Sequence, residues 1–120
     1  MALSVEFEST ELVVLRPSGE LKRVEVDTGK RKVYRHIMEH GKVQVLVLIE
    51  PGFTQLQAFA SWEDIPEDKL IQQSVTRLAL VGDLRWRDQA VLFFITAVAS
   101  FPIEFFPADQ EFFARTWLAT

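Results

Sequence analysis

Apolar and polar positions along this chain change period several times, and each change marks an element. Val5-Glu6-Phe7-Glu8 alternates, and Leu12 to Leu15 is a short β-branched run closed by Pro17-Ser18-Gly19. The first two elements are therefore predicted to be strands, suited to a hairpin. Val33, Tyr34, Ile37 and Met38 recur at the spacing of a buried helical stripe, with Gly41 as its C-terminal stop. The start of that helix has two readings. Asp27-Thr28-Gly29 is either its cap or a weak point inside a helix that begins near Lys22. Val43 to Ile49 is nearly continuous Val and Leu, the pattern of a central strand covered on both faces, and Pro51-Gly52 ends it. Leu78 to Val81 repeats the pattern and stops at Gly82-Asp83.

Between these two strands, Thr54 to Ile65 carries Leu56, Phe59, Ala60 and Trp62 in helical order, and Pro66 begins a second short helix containing Leu70 and Ile71. Arg85 to Ala99 is predicted as a further helix and Ile103 to Phe106 as the last strand. Asp109 to Leu118 closes the chain as a terminal helix with Asp109 as its N-cap. Two strands followed by strand and helix alternation predict an α/β fold, a mixed sheet of about five strands flanked by about four helices.

Composition narrows the class. With 120 residues, 48% of them apolar, the chain can bury one core and not two, so residues 1–120 are read as a single domain. The absence of cysteine excludes a disulfide framework, a thiolate metal cage and a cysteine nucleophile. Met1-Ala2-Leu3-Ser4-Val5-Glu6 lacks the basic start and apolar run of a secretory signal, so a cytoplasmic location is expected. The longest charge-free stretch, Gln89 to Ile103, is interrupted by Thr96, Ser100 and Pro102 and is too short to span a bilayer.

A net charge of -4 argues against general nucleic-acid binding, which needs clustered excess cation. The charge is nevertheless uneven. Residues 22–42 hold Lys22, Arg23, Lys30, Arg31, Lys32, Arg35 and Lys42 against Glu25, Asp27 and Glu39. Lys30, Arg31, Lys32 and Arg35 are the candidate contacts to an anionic surface, weighed against an ordinary solvated helix face.

Gly19-Glu20-Leu21, His40-Gly41-Lys42 and Val81-Gly82-Asp83 with Trp86 occur in an order, and at spacings from Gly19 to Lys42 and from Trp62 to Asp83, that resemble the SpoIIAA-like proteins from Val13 to the C-terminus. The resemblance implies a STAS-like fold and a relationship to lipid-binding CRAL-TRIO domains. Most members of that family have no assigned activity, so the fold sets an expectation and no more. Phosphorylatable STAS antagonists of bacterial anti-sigma factors carry an Asp-Ser-Ser-Gly loop where the central strand meets the next helix. The matching stretch here is Ile49-Glu50-Pro51-Gly52-Phe53-Thr54, and the motif is missing. Thr54 is a candidate phospho-acceptor at a helix N-terminus, where Thr is also a routine N-cap.

His36-Ile37-Met38-Glu39-His40 matches the H-x-x-E-H zinc pattern, in which two imidazoles one turn apart bind metal and Glu acts as base. Such a site also needs a third ligand, for which Glu104 or Glu111 would have to fold back, and a cleft. Both histidines equally suit the C-terminal turns of a helix through its dipole. The expectation is no metal and no cofactor. No triad and no Gly-rich phosphate loop is present, so no enzymatic activity is expected.

The stretch Ala90 to Ala99 is apolar nearly all the way round, whereas a helix lying on one sheet keeps a polar outer face. Phe93 and Phe94 depart from the polar residues that the family resemblance implies there. A dimer contact, an apolar ligand or a membrane would cover this surface; the alternative is cover by the terminal helix through Phe112, Phe113 and Trp117. Trp86, Ala90, Phe93, Phe94, Ala97 and Phe101 are the candidate ligand or interface residues. The expected function is a non-enzymatic binding module for an apolar ligand, a membrane surface or a protein partner. It is expected to be homodimeric and peripherally membrane-associated. The alternative is a STAS-type regulator switched by phosphorylation.

Overall fold

Strands β1 (Leu3–Phe7), β2 (Leu12–Pro17), β3 (Val43–Leu48), β4 (Val75–Gly82) and β5 (Ile103–Pro107) lie side by side in chain order in one five-stranded sheet. The computed structural model describes residues 3–20, 22–53, 66–88 and 101–120, without the side chains of Arg23 and Asp68. β1 pairs antiparallel with β2 as the predicted hairpin, and β2, β3, β4 and β5 are mutually parallel. Three α-helices occur among the described residues: α1 (Arg23–His40), α2 (Asp68–Ser74) and α3 (Glu111–Ala119). The helix expected over Thr54 to Ile65 lies outside the described residues. Of the one expected over Arg85 to Ala99, only Arg85 to Asp88 are described: Leu84–Trp86 form a 3-10 turn, Arg87 and Asp88 are helical, and the rest lies outside the described residues.

Helix α1 settles the open question of its own start. Lys22 is extended at φ -95 and ψ 151 with no side-chain cap bond, and the helix runs straight through Gly29 to His40. Gly29 is not a cap. A Cβ at this position would come within 2.7 Å of Leu3 Cδ2, so the glycine lets β1 approach the helix closely. Gly41 ends the helix as expected, with φ 90 and its N–H donated to the Ile37 carbonyl at 2.8 Å.

The sequence expectation is corrected at two strand and helix ends. β4 begins at Val75, earlier than its Leu78 to Val81 run, because Val75 pairs with Val43 below an irregularity in β3. Asp109 is not the cap of the terminal helix. Pro107 ends β5, a 3-10 turn over Ala108–Gln110 absorbs the change of direction, and Gln110 occupies the N-cap position without a side-chain cap bond.

Parallel neighbours in chain order need a crossover at each step, and a uniform right-handed sense puts the crossovers on one face. The described packing follows that rule. Val33 and Ile37 of α1, with Leu70 and Ile71 of α2, pack on the face formed by Val13, Val45, Val47, Leu78 and Leu80. Ala114 and Leu118 of α3 pack on the opposite face, formed by Val14, Leu46, Leu48, Ala79 and Val81. Both faces are covered, which explains why β3 reads as continuous Val and Leu rather than as an alternation.

The two close-packed glycines differ in what they face. A Cβ on Gly82 would lie 2.9 Å from Ile49 Cβ, an atom that cannot swing away, whereas Gly29 faces the far end of the Leu3 side chain. Gly82→Ala is expected to lower stability by about 1–3 kcal/mol. Gly29→Ala is expected to cost much less, since the gain in helix propensity of about 1 kcal/mol offsets the displacement of Leu3. Urea denaturation of both variants checks this; a larger loss for Gly29→Ala would overturn it.

Candidate functional site

In open α/β sheets ligands bind in the crevice beyond the carboxyl ends of the parallel strands. Here that end is built from Pro17-Ser18-Gly19 after β2, Ile49 to Phe53 after β3, and Asp83 to Trp86 after β4. The loops bond to one another. Glu50 N–H donates to the Pro17 carbonyl at 3.0 Å, Gly19 N–H to the Gly52 carbonyl at 3.1 Å, and Ile49 N–H to the Val81 carbonyl at 2.8 Å. Arg16 sits between the carboxylates of Glu6 at 3.5 Å and Glu50 at 3.7 Å.

The apolar part of this rim is a small cluster in which Leu3, Val26 and Phe53 are buried and Val5, Leu15, Ile49 and Trp86 pack around them. Phe53 is 1% exposed, and Trp86 meets it edge to face at 5.3 Å between centroids. Asp83 holds the turn that carries Trp86. Its carboxylate accepts from the Arg85 N–H at 2.9 Å, while the Trp86 N–H donates to the Asp83 carbonyl at 3.0 Å. The Arg85 guanidinium lies over the Trp86 ring, 4.9 Å from its centroid, and Leu84 beside them is exposed. The result is a half-buried indole between an aromatic floor and an exposed cation, next to an exposed aliphatic side chain. That arrangement can hold an apolar body and pair with an anionic or polar end.

The other expected site residues are distributed differently. Phe101 packs on the larger α1-side cluster, just before β5, at the opposite end of the sheet from Trp86, so the two do not share one site. Ala90, Phe93, Phe94, Ala97 and Thr54 lie outside the described residues. Lys30 is corrected as a surface contact, because it is buried on the inner side of α1, four residues after Val26 and three before Val33. Arg31, Lys32 and Arg35 are exposed, with Arg31 Nε 3.9 Å from a Glu67 carboxylate oxygen.

The histidine pair is brought together by its one-turn spacing, with ring centroids 4.6 Å apart. His36 is buried and stacked on Phe7 at 4.3 Å, and its Nε2 lies 2.9 Å from the Thr10 carbonyl. A carbonyl can only accept, so this nitrogen carries the proton and is turned to the β1–β2 turn rather than to a metal. Glu39 stands 3.8 Å from His40 Nε2. Among the described residues no three His, Asp or Glu side chains are grouped for a metal ion. Phe112 and Phe113, the alternative cover for the apolar stretch, are 74% and 58% exposed, with their ring centroids 5.9 Å apart. Trp117 alone turns inward, against Phe106 and under Arg77.

Sequence reasoning missed Phe53, which follows Pro51-Gly52 and reads as loop, and the stacking of Arg85 on Trp86. Asp83 as a cap carried a usable signal, since an Asp directly after a strand and before a helical run is a common N-cap.

No helix among the described residues is long and apolar enough to cross a membrane. No curated protein matches this sequence. A family model described as SpoIIAA-like matches residues 12–119, from the second strand through the terminal helix. That match spans β2 to α3, the parallel part of the sheet with both of its covered faces, and the chain belongs to the SpoIIAA-like family.

Proposed function

We propose that this STAS-type domain is a non-enzymatic binding module that holds an apolar small molecule against Trp86 at the carboxyl rim of its sheet. The observation that carries the reading is the half-buried Trp86, seated on Phe53 and overlaid by Arg85. Phe53, Leu3 and Val26 are buried, so the indole is fixed from below, and a ligand would take its half-exposed side by pairing with or displacing the Arg85 guanidinium. Arg85 supplies the charge for a carboxylate or phosphate end group, and Leu84 extends the apolar surface.

Native mass spectrometry of the purified protein reads both retained ligand and the number of chains; a ligand-carrying homodimer is expected. Trp86→Ala is expected to lose the retained mass and to weaken uptake of a fluorescent fatty acid by roughly 10- to 100-fold, the value of one buried aromatic contact. Trp86→Phe should keep most of the uptake. A protein that carries no ligand and takes up the probe equally well with and without Trp86 would overturn the proposal.

A further inference from the structure

The exposed side of α1 is charged opposite to the chain as a whole. Arg31, Lys32 and Arg35 of α1 are exposed, as are Lys22 and Lys42 just beyond its two ends, while the chain carries a net charge of -4. On this side Glu39 is exposed beside His40, and Glu67 reaches Arg31 at 3.9 Å. Asp27 and Glu25 are half-buried and engaged in other interactions. Two large apolar side chains stand among the cations, Val24 at 67% and Met38 at 64% exposure. Val24, Arg31, Arg35 and Met38 are spaced seven, four and three residues apart, which places them on one line of the helix, opposite the buried Val26, Val33 and Ile37. At 1.5 Å per residue that line is roughly 21 Å long.

We infer that this face of α1 docks flat on an anionic lipid bilayer. The geometry favours a lipid surface over other polyanions. Two neighbouring cations, Arg31 and Arg35, with the exposed aliphatic side chains Val24 and Met38 beyond them at either end, match a plane that has phosphate at its surface and hydrocarbon just below. A nucleic acid offers phosphates to Arg31 and Arg35 but no hydrocarbon layer to the exposed Val24 and Met38. The acidic remainder of the chain is screened over a Debye length of about 8 Å, so the groups at the contact decide the outcome. The inference is independent of the Trp86 reading, because α1's outer face and the rim use different residues.

The test is co-sedimentation of the full chain with vesicles of phosphatidylcholine alone and of phosphatidylcholine with phosphatidylserine. Binding is expected only to the second, and it should weaken as salt is raised. Arg31→Gln with Arg35→Gln should lower the partition by roughly 30-fold, from the usual value of a basic residue at such a surface. Lys69→Gln, an exposed lysine on α2, should leave it unchanged. Val24→Ser with Met38→Ser should remove the part of the binding that survives high salt. Thermal melts of the variants should match the parent, since every altered side chain is exposed. The inference is overturned by equal binding to both vesicles, by no binding to either, or by a double glutamine variant that binds as the parent does. Binding to an oligonucleotide in place of vesicles would also overturn it.

Discussion

Phe53→Ala is expected to destabilise the domain by about 3–5 kcal/mol, the usual cost of emptying a buried phenylalanine site. Phe53 is 1% exposed and stands where three separate parts of the chain meet: Leu3 and Val5 of β1, Val26 near the start of α1, and Trp86 after β4. Each of these is held from elsewhere in the fold. β1 is pinned by its pairing with β2, and Trp86 by the Asp83 turn, so the site cannot close simply by moving one wall. The cost should therefore fall at the upper end of the range. Phe53→Leu keeps most of the volume and should lose less than about 1.5 kcal/mol. Urea denaturation measures both, and the near-ultraviolet circular dichroism of Trp86 should weaken in the alanine variant even where the domain is folded. A loss below about 1 kcal/mol for Phe53→Ala would show that the rim collapses freely, and it would remove the fixed floor on which the Trp86 binding proposal depends.

The contrast between Phe53 and the strands shows what a sequence carries locally. The strand over Val43 to Leu48 was legible because a strand covered on both faces must be apolar at consecutive positions. The end of α1 was legible because a glycine with positive φ is a local device. The start of α1 was not. Lys22 makes no cap bond, and the glycine that suggested a boundary serves the approach of Leu3, a contact fixed by the β1–β2 pairing far from it in sequence. Phe53 failed for the same reason. Its burial depends on β1 and α1, and nothing in Pro51-Gly52-Phe53 announces either. Lys30 is a different case: its helical phase with Val26 and Val33 was present in the sequence, and reading the segment by charge rather than by phase placed it on the wrong side. Trp86 was picked out by a family resemblance, and the structure supplies what the motif could not, namely the ring beneath it and the guanidinium above.

Leu118→Ala is expected to cost about 2–5 kcal/mol, because among the described residues little besides α3 covers the second face of the sheet. Helix α3 has nine residues, too few to be stable alone, so it exists through its contacts. Ala114 and Leu118, at 0% and 2% exposure, lie on Val14, Leu46, Ala79 and Val81. The C-terminal carbonyls of the helix are held by side chains of the strands: Gln44 Nε2 donates to the Leu118 carbonyl, and Arg77 Nη1 donates to that of Trp117 at 2.6 Å. Arg115 ties the helix to the β1–β2 hairpin through Glu8 at 3.1 Å and to its own first turn through Glu111 at 2.8 Å. Burial alone would lower the Arg115 pKa; its bonds to Glu111 and Glu8 outweigh that and hold it above the ordinary value. That ion pair is partly exposed, however, and Arg115→Ala should cost under about 1 kcal/mol. The apolar contact should dominate, because removing Leu118 leaves a cavity over Leu46, which is 0% exposed and has no other described helix above it. Urea denaturation of the two variants, with hydrogen exchange along residues 111–119, checks the ranking. If Arg115→Ala cost as much as Leu118→Ala, α3 would be held by charge, and the second face would owe its burial to the hairpin rather than to the helix.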